Sequence, residues 1–116
     1  MKNSILHNPK CSKSRQTLQL LQEKGVDIQV VEYLKEPPSV DDLNYICSGL
    51  GVSPTEIIRS KEDLFKELGL SLKDERTDSE WFKLLAKNPK LIERPIVCYK
   101  GKVAMGRPPE NVLSIL

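Results

Sequence analysis

The sequence is poor in aromatic side chains and in histidine. Its 116 residues include one tryptophan, three tyrosines, two phenylalanines and a single histidine, His7. At 5% aromatics it has too few rings for a base-stacking platform. An excess of charge of one sign is also missing. Lys and Arg number 18 against 16 Asp and Glu, a net charge of +2. The field of the whole chain therefore selects no polyanion, and any preference for anions must come from a local cluster. No apolar run approaches the roughly 20 residues of a membrane span. The opening residues, Met1 to Pro9, hold no apolar core of signal-peptide length. The expectation is a cytoplasmic protein that engages neither membrane nor nucleic acid and acts as a monomer. The three cysteines, Cys11, Cys47 and Cys98, are too few and too odd in number for a disulfide framework. No two are close in sequence and there is one histidine, so no metal-ligand spacing exists.

Hydrophobic residues make up 39% and charged residues 29% of the chain, which is ordinary for a globular domain. The length suits one domain, residues 1–116. Ser4 to His7 reads as a strand ended by Asn8-Pro9. Ser12 to Lys24 reads as a helix with Thr17, Leu18, Leu20 and Leu21 on its apolar stripe and Gly25 at the stop. Ile28 to Tyr33 is rich in β-branched residues and predicts a second strand. After Pro37-Pro38, Ser39 caps a helix that runs to about Gly49, with Val40, Leu43, Ile46, Cys47 and Leu50 inward. Ser53-Pro54-Thr55-Glu56 opens a short helix, Asp63 to Leu68 forms another, and Thr77 to Glu80 starts a fifth that buries Trp81, Leu84 and Leu85. Pro95 to Tyr99 and Lys102 to Met105 predict a hairpin around Lys100-Gly101. Glu110 to Leu116 predicts a closing helix with Val112, Leu113 and Leu116 inward. The order is βαβ, a helical block over about 38–90, then ββα. An opening βαβ gives a parallel pair with a right-handed crossover, and the hairpin completes a four-stranded mixed sheet with flanking helices. This α/β plan resembles the thioredoxin-like fold with an inserted helical block.

Cys47 sits on a helical apolar stripe and Cys98 alternates within a strand, both positions for small core hydrophobes. Cys11 differs, because it stands at the strand-to-helix turn. There its sulfur faces the free N–H groups of the helix, and Lys10, Lys13 and Arg15 are near in sequence. Such surroundings lower a thiol pKa, which makes Cys11 the candidate nucleophile. Ser14 occupies the place of a second cysteine in a Cys-x-x-Cys pair, so an intermediate on Cys11 needs an outside thiol or a distant cysteine. Arg59, Arg94 and Arg107 lie at element ends, the latter two directly before proline. Guanidinium forks suit a tetrahedral oxyanion, but ordinary surface or ion-paired arginines would have the same spacing. His7 is placed either to tune the thiolate or to make a structural hydrogen bond. Ser14 is placed either to bond the sulfur or an anion, or to serve as a polar first-turn residue. Gly106 suits a backbone role.

His7-Asn8-Pro9-Lys10-Cys11-Ser12-Lys13-Ser14-Arg15, Tyr33-Leu34-Lys35-Glu36-Pro37-Pro38, Glu67-Leu68-Gly69-Leu70, Ile92-Glu93-Arg94-Pro95-Ile96-Val97 and Gly106-Arg107-Pro108-Pro109-Glu110 together resemble the glutaredoxin-dependent arsenate reductase family. The resemblance implies Cys11 as catalytic nucleophile and Arg59, Arg94 and Arg107 around the arsenic centre. It also implies a cis peptide before Pro95 and supporting roles for His7 and Ser14. It further implies arsenate as substrate, glutathione and glutaredoxin as external electron donors, and no bound cofactor or metal. Two other activities fit the same residues. One is a monothiol glutaredoxin-like oxidoreductase acting on glutathione mixed disulfides. The other is an Spx-type transcription regulator that binds RNA polymerase, against which Ser14 in place of a second cysteine argues.

Overall fold

The computed structural model describes all 116 residues, Met1–Leu116. The chain forms two compact units, one of Met1–Glu36 with Arg94–Leu116 and one of Pro37–Glu93.

The first unit is built on a four-stranded sheet in the order β2-β1-β3-β4, with β1 Ser4–His7, β2 Gln29–Glu32, β3 Ile96–Tyr99 and β4 Lys102–Met105. β1 and β2 are parallel, pairing Ser4 with Gln29 through His7 with Glu32. β3 runs antiparallel to both β1 and β4. This is the mixed sheet expected from the element order. The parallel step is made by helix α1, Ser12–Glu23. β1 is buried along its whole length, as its run Ser-Ile-Leu-His at the sheet centre requires. One sheet face packs Ile5, Val97 and Ala104 against Leu21 of α1 and against Val112 and Ile115, with Leu18 and Leu20 partly buried beside them. The hairpin turns on Lys100 and Gly101, at φ 48° and 80°. Two consecutive positive φ values match the right-handed twist of the strands, and Gly101 adopts one without steric cost. The Lys100 N–H donates to Asn3 Oδ1 at 2.9 Å and ties the turn to the start of β1.

The closing segment differs from its expectation. Pro109–Ile115 is a 3₁₀ helix that buries Pro109, Val112 and Ile115, while Leu113 and Leu116 stay exposed. A 3₁₀ helix repeats every three residues, so positions 109, 112 and 115 share one face and the anticipated 3.6-residue stripe does not form. Val112→Ala is accordingly expected to lose about 2 kcal/mol of stability by methyl removal and cavity formation. Leu113→Ala should stay within about 0.5 kcal/mol of wild type when both variants are compared with it by urea titration.

The Pro37–Glu93 unit is helical, with α2 Val40–Leu50, α3 Asp63–Glu67 and α4 Asp78–Lys87. Ser39 and Thr77 cap α2 and α4 through reciprocal capping boxes with Asp42 and Glu80. The Ser53 capping box with Glu56 opens only a 3₁₀ turn, Pro54–Ile57. α4 buries Trp81, Phe82 and Leu85; Phe82 takes the place expected for Leu84, which is half-buried. Ile58 and Ile92 form an isolated antiparallel bridge, flanked by Arg59 N–H to Leu91 O and Glu93 N–H to Ile57 O, each 2.8 Å.

Candidate active site

Cys11 is the N-cap of α1, with extended backbone (φ −93°, ψ 124°). Its side chain makes no capping hydrogen bond, and the first turn carries no acidic residue. No carboxylate therefore competes with the sulfur for the positive end of the helix. Burial of the thiol, which is 9% exposed, raises its pKa. That effect is outweighed by the Ser14 and Lys13 backbone N–H groups and by the charge and hydrogen bond of Arg94. The net result is a pKa below the ordinary thiol value, which the positive end of α1 favours. Cys47 shows the opposite case in the helical unit. Burial, with the Asp78 and Glu56 carboxylates adding to it, pushes its thiol up to about 11, so it remains protonated. Cys98 is buried in β3, its Sγ 4.0 Å from Met1 Sδ.

The loop between β1 and α1 is held by its own side chains. Asn8 O accepts the Cys11 N–H at 3.0 Å, and Asn8 Oδ1 accepts the Lys10 N–H at 3.0 Å. Arg15 Nη1 donates to Pro9 O at 3.0 Å. Ser14 is fully buried; its Oγ accepts the Asn8 N–H at 3.0 Å and lies 2.6 Å from His7 Nδ1. The Ser14 hydroxyl thus organises the loop, while the Ser14 backbone N–H serves the sulfur. His7 is itself buried. Its pKa is lowered chiefly by that burial, against the Glu32 carboxylate and with the Arg15 charge, so the imidazole is neutral at pH 7. His7 is thus tied to the loop through Ser14.

Arg94 and Arg107 belong to the same unit as Cys11. Both precede proline across cis peptides, Arg94–Pro95 and Arg107–Pro108. The first is the cis bond implied by the family resemblance; nothing in the sequence marked the second. Arg107 Nη1 reaches Arg94 O at 3.5 Å, and Gly106 N–H donates to Pro95 O at 2.9 Å, so the two arginine segments run together. Arg59 lies in the Pro37–Glu93 unit. There its guanidinium pairs with Glu62 and stands 4.0 Å from Glu93.

Two residues of this region matter more than their sequence signal suggested. Thr17 is fully buried, and its Oγ1 donates to Lys13 O at 2.8 Å with Gly106 O at 3.3 Å. A Cβ on Gly106 would lie 2.6 Å from Thr17 Oγ1 and 2.7 Å from Pro95 Cγ. Glycine is required here by close approach, because α1 and the Pro95 ring leave no room for a methyl group. Gly106→Ala is expected to cost about 1–3 kcal/mol, read as a lowered Tm.

A four-stranded mixed sheet with a cysteine at the N-cap position of its first helix and a cis-proline directly before β3 defines a thioredoxin-like protein. The ArsC family model matches residues 6–115. An arsenate reductase of Neisseria meningitidis is 45% identical over 97% of this chain and 96% of its own length. An uncharacterized protein of Escherichia coli K12, YfgD, is 48% identical over 97% of this chain and 94% of its own. The solved structure of an arsenate reductase from Vibrio cholerae superposes with a TM-score of 0.89 at 47% identity, covering 98% of each chain. The chain belongs to the ArsC family.

Proposed function

We propose that this protein reduces arsenate to arsenite with Cys11 as nucleophile, glutathione and glutaredoxin supplying the electrons. The observation that carries the reading is Cys11 at the N-cap of α1, its thiol pKa lowered by the Ser14 and Lys13 backbone N–H groups and by Arg94. The names of relatives covering nearly the whole chain support the substrate.

In this mechanism the arsenate oxygens lie toward the Arg94 and Arg107 forks, which match a tetrahedral oxyanion. The Cys11 thiolate attacks arsenic(V); an As–O bond breaks and that oxygen leaves, protonated, as water. The glutathione thiol then bonds to the same arsenic with loss of a second water. A glutaredoxin thiolate attacks the glutathione sulfur, and the As–S electron pair stays on arsenic, which becomes arsenic(III). Glutathione departs as a mixed disulfide with glutaredoxin. Water finally displaces arsenic(III) from Cys11 as arsenite and restores the thiol. Ser14 in the place of a resolving cysteine, together with the protonated Cys47, supports an outside thiol donor. The reaction is placed in the cytoplasm, where thiols are kept reduced.

Arsenite release is to be measured from arsenate with glutathione, glutaredoxin and NADPH-coupled recycling. Turnover that disappears when glutaredoxin is omitted is the expected result. Release of glutathione from mixed disulfides, with no arsenite formed, would replace this reading by that of a monothiol oxidoreductase.

A further inference from the structure

The sheet places a second recess next to the nucleophile loop, and none of Cys11, Arg94 or Arg107 lines it. β1 and β2 end in register at the pair His7 and Glu32. The segments that leave these two ends diverge and enclose a cleft of about 350 Å³. Its wall includes His7, Pro9, Lys10, Glu32, Leu34 and Lys35. Ligands of open α/β sheets gather outside the carboxyl ends of parallel strands, and this volume lies within the range of small-molecule sites. Leu34 is an apolar side chain left 45% exposed beside it. Lys35 Nζ lies 3.7 Å from Glu32 Oε1, so the rim carries two ammonium groups and one carboxylate.

We infer that this cleft binds the thiol co-substrate, an anionic peptide thiol of the glutathione type. The inference rests on the proposed reaction for its choice of ligand and on the cleft for its place. Glutathione carries two carboxylates and one ammonium, a net charge of about −1 at pH 7. That is the complement of Lys10, Lys35 and Glu32, with Pro9 and Leu34 supplying apolar contact to the peptide stem. Position agrees with charge. Lys10 adjoins Cys11, and consecutive Cα atoms are only about 3.8 Å apart, so a tripeptide held here lies within an extended residue or two of the Cys11 sulfur. In the proposed reaction the arsenate oxygens lie toward Arg94 and Arg107, neither of which lines the cleft, and this leaves that side of the loop to the incoming thiol.

The test uses the full chain, labelled with ¹⁵N and titrated with S-methylglutathione, whose blocked sulfur cannot react. Saturable shifts of the Asn8, Lys10, Leu34 and Lys35 amides are expected. Lys10→Glu combined with Lys35→Glu should weaken binding about tenfold, the scale of two reversed, solvent-exposed charge pairs. Lys102→Glu, on β4, should bind as wild type does. Absence of saturable shifts, or shifts confined to residues around Arg94 and Arg107, overturns the inference. So does equal binding by the Lys10→Glu, Lys35→Glu variant. Arsenite release by wild type is scored separately. Binding at the cleft without turnover removes the reductase reading and keeps the site. Turnover with no response at the cleft removes the site and keeps the reductase.

Discussion

Cys11→Ser is expected to lower arsenite release at least about a thousandfold while leaving the fold intact or slightly more stable. The two halves of that result have separate causes. A serine hydroxyl is not ionised at neutral pH, so the group that would bond to arsenic is lost outright, and loss of a covalent nucleophile removes most of the rate. Cys11 is also the N-cap of α1, and it makes no side-chain oxygen cap. Serine is among the preferred N-caps, worth about 1 kcal/mol relative to a non-capping residue. A Tm at or above that of wild type, together with vanished turnover, would show that this position holds a cysteine for its chemistry at some expense of helix capping. A variant that retained turnover would place the nucleophile elsewhere.

Arg94→Gln carries the second large effect, about a hundredfold in turnover, the usual loss on removing one charged donor from an oxyanion site. It acts on the thiol as well. Arg94 lowers the Cys11 pKa both by charge and by a hydrogen bond. Glutamine keeps a donor and loses the charge, so the pKa rises toward the ordinary thiol value. The sign is unambiguous in an alkylation profile. Thiolate reacts and thiol does not, so a higher pKa lowers the iodoacetamide rate at neutral pH. It leaves the rate unchanged well above the ordinary thiol range, where both proteins are ionised. Arg94→Lys should recover most of the alkylation profile and less of the turnover, because an ammonium restores the charge but not the planar fork. An alkylation profile identical in wild type and Arg94→Gln would separate the arginine from the sulfur.

The local features of this chain were legible because they depend on short-range chemistry. Asn8-Pro9 ends β1, Ser39 and Thr77 cap their helices, and Lys100-Gly101 turns the hairpin. Each follows from side-chain hydrogen bonding or allowed φ within a few residues. Cys11 stood out for the same reason, since a strand-to-helix turn orients its sulfur at free N–H groups whatever the rest of the chain does. Where packing decided, periodicity misled. The terminal segment tightened to a 3₁₀ helix and turned Leu113 and Leu116 outward, and α4 buried Phe82 in place of Leu84. Helical pattern alone does not specify whether a short segment takes 3.0 or 3.6 residues per turn.

By itself, then, the sequence determined the mixed α/β plan, the single cysteine at the start of α1 and the lack of a second cysteine in the first turn after it. Only the tertiary structure decided which side chains meet it. Arg94 joins Cys11 from 83 positions away in the chain, and Thr17 meets Gly106 across 89 positions in a contact that no spacing rule describes. The Ser14 hydroxyl went to His7 and the Asn8 N–H, because a buried polar group bonds to whatever partner the fold encloses with it. Long-range approach of this kind is set by the sheet register that brings β3 beside β1, and register belongs to the folded sheet as a whole, with no one segment carrying it.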